Sequence, residues 1–321
     1  MAAIITNKFR IHNAEQFQES FSEAAATTYY LFIGRSHAWA SDADVQGNTI
    51  AEGTDTSPPT PNDDITSEFY NYDDMIGLKL LSSSDVSFVI PRRDWATGTT
   101  YDMYRHDYSS STTANSGATN LFDATFYVMS STFNVYKCLD NNGNAASTVE
   151  PTGTSTSILS TGDGYKWKYM YTLSATQQAN FLSTDFMAVA TDSTVSAAAT
   201  DGAVNIVKIK TAGSGGTNGT HTGVAIRGDG SSGECSVTVA GGVVTAVTVT
   251  NVGSGYTYAY IRNADIVSAG ATSLSGAELD VIIEPKGGHG FNAIKELGGF
   301  FVMMNTNFEA GEASNSGDFT T

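Results

Sequence analysis

Val89-Ile90-Pro91-Arg92-Arg93-Asp94-Trp95 is the stretch whose reading organises the fold. Phe88, Val89 and Ile90 are strand formers. Pro91 ends their strand, because proline has no N–H to give a ladder and fixes its own φ. Two arginines, a carboxylate and an indole follow the corner at once. A guanidinium is a planar fork of donors that pairs bidentately with carboxylates and stacks on rings. The stretch therefore reads as a strand ending in a fixed cationic anchor. Three roles are open for Arg92 and Arg93: pairing with the chain's own carboxylates, contact with a partner through Arg and Trp hot spots, or an anion-binding active site.

The bulk properties narrow the choice. A chain of 321 residues is long enough for one large domain or two ordinary ones. Lys and Arg number 16 against 33 Asp and Glu, a formal charge of −17. That excludes nucleic acid as the expected partner, since binding it requires basic surface that displaces counterions. It equally disfavours an anionic membrane. Only 15% of residues are charged, and Thr, Ser, Ala, Gly and Asn fill the rest, a β-rich and turn-rich composition. Cys138 and Cys235 form no CxxC and read as small buried apolar residues. The start, Met1 to Lys8, has no charged region before an apolar run, so no secretion signal is expected. No stretch approaches the ~20 apolar residues of a membrane span.

Outward from the opening stretch, Ile4–Arg10 reads as a short strand. Asn13 and Gln16 form a capping-box-like pair that starts an amphipathic helix with Phe17 and Phe21 on one face. Tyr29–Arg35 is a β-branched and aromatic run, hence a buried strand. Residues 40–66, with Pro58, Pro59 and Pro61, read as a long surface loop. Met75–Leu81 and Val86–Ile90 are strands, and Phe126–Met129 with Asn134–Leu139 is a strand pair. Residues 98–124 lack helical period and read as an exposed loop. Tyr165, Trp167, Tyr169 and Tyr171 alternate with Lys166 and Lys168, the period of a half-buried strand. Ser174 and Gln177 cap a short helix, and Gly299–Met304 is a last apolar strand.

From about Ser193 to Asp280 the chain turns Gly-, Thr- and Val-rich and repeats itself. Val204-x-x-Val207-x-Ile209 leads into Gly213-Ser214-Gly215, and Val244-x-x-Val247-x-Val249 leads into Gly253-Ser254-Gly255, at a constant offset of 40. Each unit reads as strand, glycine turn, strand, strand. The expected organisation is a layered β-sandwich core over 1–195 and 284–321, with helices in loops, and an inserted β-rich domain of two such repeats over 196–283.

Few motifs carry chemistry. There is no P-loop and no dinucleotide-binding glycine pattern between a strand and a helix. The five histidines show no zinc-ligand spacing. Asp140, Asn142 and Asn144 mimic the start of a calcium loop, but Gly143 and Pro151 stand in the wrong slots. Lys286-Gly287-Gly288-His289-Gly290 combines a cation and a base on a glycine-rich corner, and reads first as a tightly packed corner. No metal, cofactor or catalytic residue is expected.

Five motifs in order carry a resemblance: Ile5-Thr6-Asn7-Lys8-Phe9-Arg10, Phe32-Ile33-Gly34-Arg35-Ser36-x-x-Trp39, Val89 to Trp95, Val135-Tyr136-Lys137-Cys138-Leu139-Asp140, and Gly162-Asp163-Gly164-Tyr165-x-Trp167-x-Tyr169. Together, over roughly residues 4–173, they resemble the small dimeric baseplate wedge subunit of T-even-type contractile-tailed phages. The repeats and the Pro285–Gly290 segment look like the marine-phage branch of that family. The resemblance implies a non-enzymatic virion protein, assembled in host cytoplasm, that pairs with itself and joins other wedge proteins around the tail hub. In one respect the sequence departs from the family: its members continue past the last apolar strand into another arginine-bearing strand and an Asn-Pro, where this sequence reads Phe319-Thr320-Thr321. Arg10, Arg35, Trp39, Arg92, Arg93, Asp94, Trp95, Tyr165 and Trp167 are then structural anchors or interface residues. The Gly-Thr repeats and Tyr-rich loops keep a second class open, a carbohydrate-binding or adhesion module of a phage tail. A polysaccharide-cleaving enzyme has no motif in its favour.

Overall fold

The computed structural model describes residues 5–34 and 75–309. Arg35, Trp39 and the expected loop 40–66 lie outside them. The described chain is mainly β, in layered antiparallel sheets with short helices between strands.

The first element departs from expectation. Asn7–Glu19 is a helix, α1, and not a strand that gives way to a helix at Asn13. The Thr6 hydroxyl accepts the Phe9 N–H at 3.2 Å, and the Thr6 carbonyl accepts the Arg10 N–H at 3.0 Å. Thr6 thus satisfies donors that a helix start leaves open, as a helix cap does. Phe17 and Phe21 then share a face as expected, packed edge-on at 5.4 Å, with Tyr29 stacked on Phe21. Strand β1 (Tyr30–Gly34) pairs antiparallel with β2 (Met75–Leu80).

The chain divides into two compact units. One combines Glu15–Ser87 with Val302–Thr321. Besides the β1–β2 ribbon, it contains a bond from the Asn305 N–H to the Asp85 carbonyl. The other combines Met1–Ala14 with Phe88–Phe301 and holds most of the described sheets.

In that larger unit, β3 (Val86–Pro91) pairs with a later strand, Phe186–Ala188, with Val89 opposite Ala188. Strands β4 (Tyr127–Met129), β5 (Asn134–Asp140), β6 (Leu159–Ser160) and β7 (Lys166–Thr172) make a four-stranded sheet in the order β4-β5-β7-β6. β7 is buried on both faces, not half-buried: Trp167 and Met170 are fully buried, and Lys168 is only 6% exposed. Its alternation is real, but the lysine side faces other protein. Helix α2 (Ala175–Phe181) begins at the expected Ser174–Gln177 capping box, and β8 (Phe186–Ala188) follows. The fully buried side chains Phe126, Tyr127, Tyr136, Tyr165, Trp167 and Tyr171 form the centre of this part. Cys138 and Cys235 are both buried and free, as read.

After α3 (Ser193–Ala197) come β9 (Ile206–Ser214), β10 (Gly219–Ala225), β11 (Arg227–Gly228), β12 (Glu234–Ala240), β13 (Val243–Asn251), β14 (Ala259–Tyr260), α4 (Asn263–Ser268) and β15 (Ser275–Ile282). The repeats interlock. The last strand of the first unit, β12, pairs with the first strand of the second, β13, Val237 opposite Val247. The last strand of the second, β15, returns to β9, with Val281 opposite Val207. Both Gly-Ser-Gly turns put their glycines at positive φ, 70° and 76° in one copy and 62° and 75° in the other. A Cβ at Gly253 would lie 2.5 Å from the Ser231 carbonyl oxygen, so only glycine fits there. The continuous apolar core from Val204 to Ile283 draws all of its fully buried members from this segment. Helix α5 (Ala293–Leu297) and β16 (Phe301–Met304) complete the described chain.

Candidate functional site

The corner after β3 is held from several sides. Pro91 has no N–H to offer, but its carbonyl accepts the Tyr127 hydroxyl at 2.8 Å. The chain then runs alongside β4. The Met129 N–H donates to the Arg93 carbonyl at 2.7 Å, and the Trp95 N–H to the Met129 carbonyl at 2.8 Å. Arg92 pairs with Asp94 at 2.9 Å and donates to the Ser183 carbonyl at 3.0 Å. The Asp94 hydrogen bond raises the Arg92 pKa. Among the described residues Arg93 has no acid partner. It donates to the Ala124 carbonyl and lies over the Tyr127 ring, 4.6 Å from its centroid.

Trp95 leads to a second anchor. Its indole N–H donates to the Ser147 hydroxyl at 3.1 Å, which donates in turn to Asp163 at 3.0 Å. The Asp163 carboxylate also accepts Thr161 and the N–H groups of Thr148 and Val149. Burial pushes its pKa up, but these donors outweigh burial and hold it at about 2. Asp163 therefore closes the turn between β6 and β7, and Gly164 supplies the positive φ of 85°. Beyond the turn, Tyr165 and Trp167 stack with ring centroids 5.3 Å apart. Arg10 sits apart from this group, 3.6 Å above the Phe300 ring. Loop 98–124 is less exposed than its composition suggests. Tyr101 to Tyr104 are buried, and the Asp102 carboxylate accepts four bonds from Ser116 and Thr125.

A third group was invisible in the sequence. Lys137 on β5 is fully buried and bonds Glu296 on α5 across 159 residues. Glu296 also accepts the N–H groups of Gly290 and Asn292 at 2.8 and 3.1 Å. Glu284 accepts the His289 N–H at 3.1 Å and an amide bond from Asn205. Burial, the largest influence, raises the Glu284 pKa to about 7 and drives that of His289 well below its usual range. Gly287, Gly288 and Gly290 all take positive φ, which folds the glycine corner tightly over this group. The packed-corner reading of 286–290 thus describes the backbone, while the titratable groups beneath it were missed. Only the pairing of Lys137 with a partner on a distant helix would have signalled them.

Two hollows stand out in the larger unit. The larger, about 700 Å³, lies between residues 103–115 and strands β9 and β15. Its cations are paired: Arg105 with Asp107 and Asp280, Lys208 with Asp140, Lys210 with Glu278. The smaller, about 300 Å³, opens onto Lys168, Glu284 and His289. Among the described residues no group of three or more His, Cys, Asp or Glu side chains could hold a metal ion. No described helix is long and apolar enough to cross a membrane.

The Arg92–Trp95 corner and Lys137 lie within a stretch that a known family's model matches. The family model for Phage-Gp8, described by Gp8 of bacteriophage T4, matches residues 3–148. Baseplate wedge protein gp8 of Enterobacteria phage T4 is 23% identical over 214 residues, 58% of this chain and 60% of that protein. The chain thus matches about three fifths of the length of this curated relative. Over residues 3–148 the chain is therefore similar to the Phage-Gp8 family.

Proposed function

We propose that this protein is a structural subunit of a contractile phage tail baseplate, a non-enzymatic wedge component of the virion, assembled in host cytoplasm. On this reading it pairs with a second copy of itself and joins neighbouring wedge proteins around the tail hub. The observation that carries the reading is the match of residues 3–148 to the Gp8 family, with sequence similarity to a baseplate wedge protein. The geometry supports it: Arg92, Asp94, Trp95, Tyr165 and Trp167 are tied into one rigid β framework, and such preset faces suit permanent assembly. On the same reading 196–283, which lies inside the larger compact unit, is a domain inserted into a core of 1–195 and 284–321. The self-contained core between Val204 and Ile283 supports that division. Co-purification of a tagged chain with other tail proteins from infected cells tests the reading, and a chain recovered only by itself would count against it.

One observation favours a second reading, a carbohydrate-binding module. Tyr258 and Tyr260, 57% and 47% exposed, stand beside Arg227 and Arg262, both clamped on Asp265. Exposed rings next to fixed hydrogen-bonding groups suit sugar rings. Glycan binding that disappears in Tyr258→Ala/Tyr260→Ala would favour it, glycan binding that survives would place the site elsewhere, and a parent chain that binds no glycan would remove it.

A further inference from the structure

The smaller hollow has a buried floor and an exposed mouth. Ser157, Ala198 and Thr200 border it at the surface, while Leu139, Lys168, Ala203, Glu284 and His289 lie buried below. Two of the floor groups are incompletely satisfied. The Lys168 ammonium bonds the Thr156 carbonyl, and no described carboxylate forms an ion pair with it. His289, 5% exposed, has no hydrogen-bond partner at Nδ1, and its Nε2 lies 3.8 Å from Glu284, beyond hydrogen-bond reach. Burying an ammonium with one hydrogen bond and no ion pair, or an imidazole N–H with no partner, is costly, and such sites in folded proteins call for a guest or an explanation.

We propose that this cavity is a binding site for a carboxylate, seated between the Lys168 ammonium and the His289 imidazole. The charges select the class. Lys137 is spent on Glu296, so Lys168 is the floor's available cation and balances one negative charge. A doubly charged phosphate would need more, of the kind that arginine clusters supply. The volume, about 300 Å³, lies at the small end of ligand sites and suits a short acid or an acidic side chain reaching in from a neighbouring protein.

Glu284 makes the binding proton-linked. It faces Lys137, Lys168, Glu296, His289 and Asn205. As a carboxylate it repels the guest, and as a carboxylic acid it donates to it. With a Glu284 pKa of about 7, the receptive form falls about tenfold between pH 6 and pH 8.

The test is acetate titration of the whole chain at constant ionic strength, read by the nitrogen shifts of the His289 ring and by calorimetry at both pH values. The expected result is saturable binding, about tenfold tighter at pH 6. Lys168→Met should weaken it at least tenfold. Glu284→Gln, which leaves the lysine in place, should bind at pH 8 as the parent does at pH 6. Tighter binding of N-acetylglutamate amide than of acetate points to a partner's side chain, and equal binding to a free acid. A His289 signal that does not move in the parent, or a Glu284→Gln variant that keeps the full pH dependence, overturns the proposal.

Discussion

Replacing Glu296 by Gln isolates the charge in the most deeply buried ion pair described. Lys137 is fully buried, Glu296 has a side chain 3% exposed, and the ammonium also lies 4.9 Å from the Tyr104 ring centroid. Glutamine keeps a carbonyl oxygen for the Gly290 and Asn292 N–H groups, so the turn stays closed while the negative charge goes. The stranded ammonium can then stay charged in an apolar site or release its proton. Release from its ordinary value of 10.5 at pH 7 costs about 1.4 kcal/mol per unit, roughly 5 kcal/mol in all, which caps the charge penalty. Broken buried pairs lose about 3–5 kcal/mol, within that cap. The penalty should also depend on pH. A Lys137 that is neutral in the folded variant and charged in the unfolded chain means that the unfolded state binds more protons. The variant's stability then rises with pH, and the deficit shrinks by about 1.4 kcal/mol per unit toward pH 9. Urea unfolding read through Trp95 and Trp167 fluorescence measures this, provided the slope is unchanged. The double variant Lys137→Met/Glu296→Gln should regain most of the loss, as the coupling within a pair requires. A loss below about 1 kcal/mol at pH 7, or the same loss at pH 9, would refute the reasoning.

Other substitutions follow from the same geometry. Arg92→Ala breaks a half-exposed ion pair and should cost no more than about 1 kcal/mol, whereas Arg93→Ala uncovers the Tyr127 ring and frees the Ala124 carbonyl, about 1–2 kcal/mol in urea. Asp163→Asn should flatten the acid limb of the stability curve. The carboxylate's lowered pKa gives stability that is present above the unfolded value and lost as pH falls through about 2, and acid unfolding followed by fluorescence reads it. Gly253→Ala meets both a positive φ of 62° and the Ser231 carbonyl, while Gly276→Ala meets positive φ in open space. Hydrogen exchange over 204–283 should therefore rise sharply in the first variant and little in the second.

What the sequence disclosed was local. Pro91 ended its strand, Ser174 and Gln177 opened their helix, and the two Gly-Ser-Gly turns took matching positive φ, because each signal lies within a few residues of its effect. Thr6 was overlooked as a cap, so the β-like run after Ile4 was read over a helix start. The alternation in β7 was visible, but alternation cannot say whether the polar side meets water. Lys168 instead lies beneath the glycine corner at 287–290. The Lys137–Glu296 and Glu284–His289 group was hidden for a different reason. Its members come from β5, the segment after β15, and α5, and proximity across such separations depends on the finished fold. Arg92 and Arg93 were readable as anchors, but not that one would take a carboxylate and the other a carbonyl and a ring.

The central claim, that this chain is a wedge subunit built to assemble, is tested most directly by native mass spectrometry of the full chain, alone and mixed with the other baseplate proteins of its phage. The account predicts a stable dimer that enters a larger complex of fixed stoichiometry. A persistent monomer that joins none of those proteins would contradict it.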